Sequence, residues 1–307
     1  MWNPCHPGYR KIKVKRSTIR TIFIVVFLLP AILIQTLLLI YPSLRAFYIS
    51  FFEWSGLSQE MTYVGLQNFT RMAQDPSMRV SVANNIYILI VPTLATLFIS
   101  LVLAQTLNWV PFGGEFFKLL FFFPNLLSAV VWAIMWNFVY NPSFGAINTF
   151  LRLVGLGSLA KPWLGDPNFE LAAIALVMIW GGVGWYVVLL SASIADIPKD
   201  LFEAAIMDGA SRWQQFIHLT IPLVRGMIRI SVIFLVINAL QIFSLVFVIK
   251  GGFTDKYTEV ISTYMFKQAF QFSNLGYGSA IAVFVFLLLL VLTAVALSFG
   301  RREPVQF

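Results

Sequence analysis

The sequence predicts an all-α integral membrane protein with six transmembrane helices and both termini on the cytoplasmic side. Of its 307 residues 59% are hydrophobic and 11% charged, where soluble domains carry about 25% charged residues; mean hydropathy is +0.82. Six charge-free runs are long enough to cross a bilayer, which takes roughly 20 residues at 1.5 Å rise. The basic residues are also unevenly placed. Segments 1–20, 115–118, 196–229 and 301–307 together hold 13 Lys and Arg against 6 acidic residues, whereas the three alternate loops hold 8 against 7. That asymmetry puts the first set in the cytoplasm.

The elements follow in order. Residues 1–20 form a basic head with Arg10, Lys11, Lys13, Lys15, Arg16 and Arg20. It abuts a hydrophobic run and offers no aromatic platform, so the net charge of +8 reports topology and not nucleic-acid binding. The first run, Thr21–Leu44, is apolar from Ile22 to Tyr41 with no small-residue cleavage site after it. That is longer than a signal peptide's core and predicts a retained helix. Residues 45–79 read as an extracytoplasmic loop, with Trp54, Tyr63 and Phe69 suited to the interface and a short surface helix; Asn68-Phe69-Thr70 is formally a glycosylation sequon. The runs Val80–Gly114, Leu119–Leu151, Leu171–Ala195, Ile230–Ile249 and Gln268–Gly300 each fit one helix. Together, residues 80–300 make the main membrane domain, with 21–44 as a possible add-on and 301–307 as a cytoplasmic tail. One cysteine, Cys5, excludes an internal disulfide, and His6 and His218 are too few for a metal site. No GxxxxGK[ST] occurs, so the chain has no P-loop with which to hold ATP.

The long cytoplasmic loop, 196–225, has the chemistry of two short helices joined by a turn. Asp196 can cap the first, with Pro198 in its opening turn. Leu201, Phe202, Ala205 and Ile206 share a side. Gly209 stands where a left-handed residue ends a helix, and Ser211 with Gln214 forms a capping box for the second. There Trp213, Phe216 and Ile217 make an apolar stripe, while Gln214, Gln215 and His218 face away. Helices this short need a partner surface. Lipid headgroups are one option. The small residues Ala204, Ala205 and Ala210 favour close approach to another protein, and Glu203 and Asp208 would be repelled by anionic lipid.

EAAIMDGASRWQQFIHLTIPL (203–223) resembles the EAA loop of ABC importer permeases at Glu203, Ala204, Ala205, Asp208, Gly209, Ala210, Phe216 and Pro222. VGLQNF (64–69), FFFPNLLSAVVWAIMWNFVYNPSFGAIN (121–148) and QIFSLVFVIKGG (241–252) are similar to the carbohydrate-uptake branch, which includes maltose and glycerol-phosphate permeases. Lys250 departs from that pattern, in which T-G-G is usual. The resemblance implies a type I importer permease in a bacterial inner membrane. It implies a loop seated on separate ATPase subunits that hold ATP and Mg, with no cofactor bound by this chain. A second, different permease chain and an extracytoplasmic solute-binding protein complete the expected assembly.

For the solute pathway, the sequence offers Asn238, Gln241 and Ser244 at successive i+3 spacing, flanked by Phe243, and the aromatic residues Trp180 and Tyr186 beside three glycines, Gly181, Gly182 and Gly184. Amides with flat rings suit a neutral polyhydroxyl solute. The plainer alternative for any one polar residue, including Gln35, Asn84, Asn85, Gln105 and Asn137, is interhelical hydrogen bonding, and for the glycines it is helix packing. A carboxylate within a span would suggest an ion-coupled carrier; none is there. An enzyme acting on lipid-linked sugars would want paired carboxylates, for which Asp196, Asp200 and Glu203 are the only candidates. A permease for a non-carbohydrate solute also stays open.

Overall fold

The computed structural model describes residues 16–110, 113–252 and 254–298; Cys5, His6, most of the basic head and the tail lie outside them. Helix α1 (Arg16–Gln35) continues through a π-helical turn, Thr36–Ile40, into α2 (Tyr41–Ile49). The first crossing thus has an apolar stretch of Phe23–Ile49, in which Ile49 at the far end is buried. It joins the rest through α2, whose Phe47 ring lies edge-on to Phe286, 5.4 Å between centroids. The extracytoplasmic loop is a small hairpin, β1 (Phe52–Glu53) antiparallel to β2 (Thr62–Tyr63), followed by α3 (Gln67–Gln74). The sequon residue Asn68 is buried beneath it, donating to the carbonyls of Ser50 and Phe52 at 2.9 Å.

The second crossing, α4 (Pro76–Trp109), opens on Asp75, which accepts from the Ser77 and Met78 amides. With the proline at the first position, no donor is wasted. The run Leu119–Leu151, expected as one helix, is broken instead. Helix α5 (Gly114–Phe122) and a 3-10 turn, Phe123–Leu126, meet α6 (Ala129–Val139) at 96°. Pro124 lacks the N–H needed to continue the ladder, and its carbonyl is taken by the Trp132 indole at 2.8 Å. A short α7 (Ala146–Leu153) follows.

Helix α8 (Glu170–Ala195) is uninterrupted and packs along α4. Gly184 is where α5 crosses it: a Cβ there would lie 1.9 Å from the Phe121 carbonyl oxygen, so only glycine admits the crossing. Gly181 likewise lies against the Trp132 ring, a packing role.

Below α8 come α9 (Lys199–Met207), α10 (Arg212–Gln215), a π-helical turn (Phe216–Thr220) and α11 (Ile221–Leu223), bent by 74° from α12 (Arg225–Leu240). The run Ile230–Ile249 also departs from expectation. Helix α12 stops at Leu240 and α13 (Ser244–Ile249) starts afresh. No proline causes this break; side chains from elsewhere supply the missing bonds. Asn85 donates to the Ala239 carbonyl (3.0 Å) and accepts from the Ile261 amide (2.6 Å), and Ser262 donates to the Leu240 carbonyl (3.2 Å). The last run begins later than expected but is not broken: α14 (Ile261–Phe266) and a π-helical turn, Lys267–Gln271, lead into α15 (Leu275–Ser298), a single uninterrupted helix. Among the described residues four helices can each cross a membrane unaided, and six if each bent pair counts once. Among the described residues four apolar clusters form the core, and two of them bear on the site. One joins Ile88, Ile174, Val177 and Val246. The other joins Leu101, Leu190, Phe216 and Leu235.

Candidate functional site

The cytoplasmic bend is built by local rules. Asp196 does not cap α9, as its sequence position suggests. Its amide extends the α8 ladder to the Ala192 carbonyl, so it closes one helix, and Pro198 stands at the N-terminus of the next. Gly209 has φ +76°. Its amide reaches the Ile206 carbonyl at 3.0 Å and the Ala210 amide reaches Ala205 at 2.9 Å, a Schellman termination. The capping box is present: Ser211 Oγ accepts from the Gln214 amide, and Gln214 Oε1 accepts from the Ser211 amide at 2.8 Å.

The bend presents more apolar surface than it hides. Ile206, Met207 and Trp213 are 60%, 87% and 56% exposed, with Glu203, Ala204, Asp208 and Gly209 exposed beside them and Ala205 and Ala210 half-buried. Phe216 is buried against Val224 and Leu190, anchoring the bend to α8. Pro222 lies exposed in α11. Gln215 does not face away: it is buried, and its amide donates to the Ala210 carbonyl at 3.0 Å. Met207, the most exposed of these apolar groups, is missing from the sequence-derived stripe because it sits one position past it.

Higher in the bundle, a cavity of about 510 Å³ opens where the α5–α6 and α12–α13 breaks face the continuous helices α4 and α8. Asn238, Gln241, Phe243, Ser244 and Tyr186 all line it. They reach it from α12, the break and α13, and from α8, not from one continuous polar face. Trp180 does not line it; its ring packs edge-on against Trp132 and Trp136, at 6.3 and 5.6 Å. Trp185 takes the place expected of it, joined by Thr96, Asn125 and Trp132. The spacing of Met178, Gly182, Trp185 and Tyr186, all lining, is one helical stripe, the signal that separates Trp185 from Trp180. Among the described residues no charged side chain lines the cavity.

Of the other in-span amides, Asn84, Asn85 and Asn137 bond backbone. Asn84 donates to the Lys256 and Glu259 carbonyls, and Asn137 to Ala133 of its own helix. Gln105 is buried with Oε1 unpaired, and Gln35 is exposed. At the outer end, Lys250 Nζ lies 2.7 Å from Glu170 and 2.9 Å from Asp255. Burial pulls the Lys250 ammonium down, but hydrogen bonds and charge from the two carboxylates more than offset it and hold its pKa above the ordinary lysine value. Burial pushes Asp255 up; Lys250, the Tyr257 amide and the Thr258 hydroxyl bring it below the usual carboxylate value.

This architecture defines a multi-pass membrane protein with an uncharged, solute-sized cavity and an exposed bend beneath it. The chain belongs to the family of binding-protein-dependent transport system inner membrane components, whose match covers residues 88–303. It is 35% identical over 262 residues to the probable ABC transporter permease protein YurN of Bacillus subtilis (strain 168), across 83% of this chain and 88% of that one. It is 31% identical over 289 residues to the diacetylchitobiose uptake system permease protein NgcF of Streptomyces coelicolor, across 91% and 82%. Its fold is similar to a chain in the crystal structure of a bacterial alginate ABC transporter in complex with an alginate pentasaccharide-bound periplasmic protein. There the TM-score is 0.82 at 23% identity, over 95% of this chain and 98% of that one.

Proposed function

We propose that this chain is one of two membrane subunits of an ATP-driven importer and conducts a neutral sugar or related polyhydroxyl solute into the cytoplasm of a bacterium. The observation that carries this reading is the bend α9–α10: rigidly terminated, exposed on its apolar side, and attached through Phe216 to the helices that wall the cavity. The assembly holds two separate ATPase subunits with ATP and Mg, and Glu203–Ala210 seats in a cleft of one of them. As they close and reopen, the bend carries α11 and α12 with it, and the cavity is exposed alternately to the two sides. The second permease is a different chain, and a binding protein delivers the solute from outside. In this reading each bent pair counts as one crossing, giving six with both termini cytoplasmic.

The carbohydrate assignment draws on the cavity lining. Asn125, Asn238 and Gln241 offer amide donors and acceptors, Trp132, Trp185 and Tyr186 offer ring faces, and none of the described lining residues carries a charge to favour an ionic solute. The diacetylchitobiose relative points the same way.

Reconstitution of the assembled transporter in liposomes tests both halves. Gly209→Val forces a β-branched residue to φ +76°, which L side chains avoid. We expect ATP hydrolysis to continue while uptake falls about tenfold or more, and unchanged uptake would remove the coupling role. Asn238→Leu with Gln241→Leu should weaken or redirect uptake without loss of assembly; identical kinetics would remove the cavity from the pathway.

A further inference from the structure

We propose that the outer hairpin and α3 form a seat for the extracytoplasmic binding protein, and that a basic loop of that partner enters a polar cavity between Glu53 and Glu60. This rests on the importer reading above and names the surface at which delivery takes place. The cavity, about 470 Å³, is lined by Glu53, Glu60, Gln67, Arg71, Asn274 and Tyr277 among others and shares no residue with the solute cavity.

Its walls come from two distant stretches, the loop after the first crossing and the start of α15, and they are fixed to one another. The Gly276 amide donates to the Trp54 carbonyl at 3.0 Å, and the Trp54 indole donates to the Ser58 carbonyl at 2.7 Å. Asn68 holds α3 under the strand. Tyr277 donates to Asp75 at 2.7 Å. Ser273, also lining, is the single non-glycine residue with positive φ among the described residues, at +53°. Such a conformation persists only where surroundings impose it. The seat is therefore preformed, not a slack loop.

Its chemistry selects the occupant. Glu53 and Glu60 are exposed and join no ion pair among the described residues. Arg71 lies over the Tyr277 ring, 4.5 Å from its centroid, a contact that leaves both carboxylates facing water. Around the same loop Leu57, Tyr63 and Leu66 are 86%, 70% and 63% exposed. Exposed apolar groups clustered beside a charged concavity leave this surface open to a protein partner. The family's own description, binding-protein-dependent, supplies a partner that must dock on this side, and unpaired carboxylates call for lysine or arginine on it.

The test is stimulation of ATP hydrolysis by the cognate solute-loaded binding protein, titrated onto the complete transporter in nanodiscs. For Glu53→Lys with Glu60→Lys we expect the half-saturating concentration to rise about tenfold with the maximal rate near wild type, and its dependence on salt to flatten. Glu53→Gln with Glu60→Gln should give a smaller rise in the same direction, and it serves if the reversed charges impair folding. Wild-type half-saturation in both variants overturns the proposal. So does a shift that follows the phosphatidylethanolamine content of the disc, which would make the occupant a lipid amine. A wild-type transporter that does not respond to binding protein at all would instead sink the importer reading, and this one with it.

Discussion

The cytoplasmic bend and the broken crossing α12–α13 reach irregular backbone by opposite routes. In the bend, each bond that ends or starts a helix is made within six residues: Gly209 to Ile206, Ala210 to Ala205, Ser211 to Gln214. At the crossing, the groups freed when α12 stops are satisfied from far away in the chain, by Asn85 and Ser262. Water can complete a bend at the membrane surface, so local capping is enough there. No water is available within the bilayer core, so a helix can break there only where another element brings the partner. The first arrangement makes a portable part that can be moved as a unit. The second ties a cavity wall to α4 and α14, so that the cavity's shape belongs to the whole bundle.

The largest expected effect lies at the outer end of the crossing. Lys250→Met leaves Glu170, 2% exposed, charged and buried without its cation, a loss of about 3–5 kcal/mol. It should show as a marked fall in Tm of the purified protein in detergent. Adding Glu170→Leu should recover most of it, because a buried pair replaced by apolar groups is close to neutral. If the single variant melts like wild type, the outer end of α13 is not held by this pair. The pH dependence has a worked sign. The Lys250 contribution is full below the ordinary lysine value of 10.5 and is lost as pH climbs through the raised value. The Asp255 contribution is full above its ordinary 3.8 and is lost as pH falls through the depressed one. Between those limits the Lys250 and Asp255 contributions do not change with pH.

The same contrast explains what the sequence could disclose. Gly209, Ser211 and Gln214 were legible because capping is a short-range grammar, with donor and acceptor printed side by side. Asp196 misled because two helices compete for it, and the α8 ladder wins. The charge-free runs located the apolar crossings but not their breaks, since lipid solubility is indifferent to whether a run is one helix or two. Pro124 could have marked the first break; nothing near Leu240 marks the second. Trp185 was readable from the stripe it shares with Met178 and Gly182, whereas Asn85 gave no sign that its partners lie 154 and 176 residues away. Asn85→Leu isolates that long-range dependence. It strands the Ala239 carbonyl and the Ile261 amide, at about 1–3 kcal/mol for each group left unpaired. Thermal unfolding should detect it, and uptake should fall with it, since Ala239 itself lines the cavity.

Ser211→Ala should have the smallest effect on the fold and a clear one on coupling. It removes the acceptor for the Gln214 amide, worth about 1 kcal/mol at a helix start, while the reciprocal bond from the residue 211 amide to Gln214 Oε1 survives the change. That loss is confined to α10, which is solvent-facing along Arg212–Gln214, and water takes up the freed amide. Global Tm should therefore move far less than in the Asn85 variant, while hydrogen exchange at residues 211–215 quickens. Coupling ratios, solute imported per ATP hydrolysed, should drop because the lever is looser at its joint. An equal fall in Tm for the two variants would show that the bend is integral to the bundle core, and the division between a locally closed lever and a globally closed cavity would not hold.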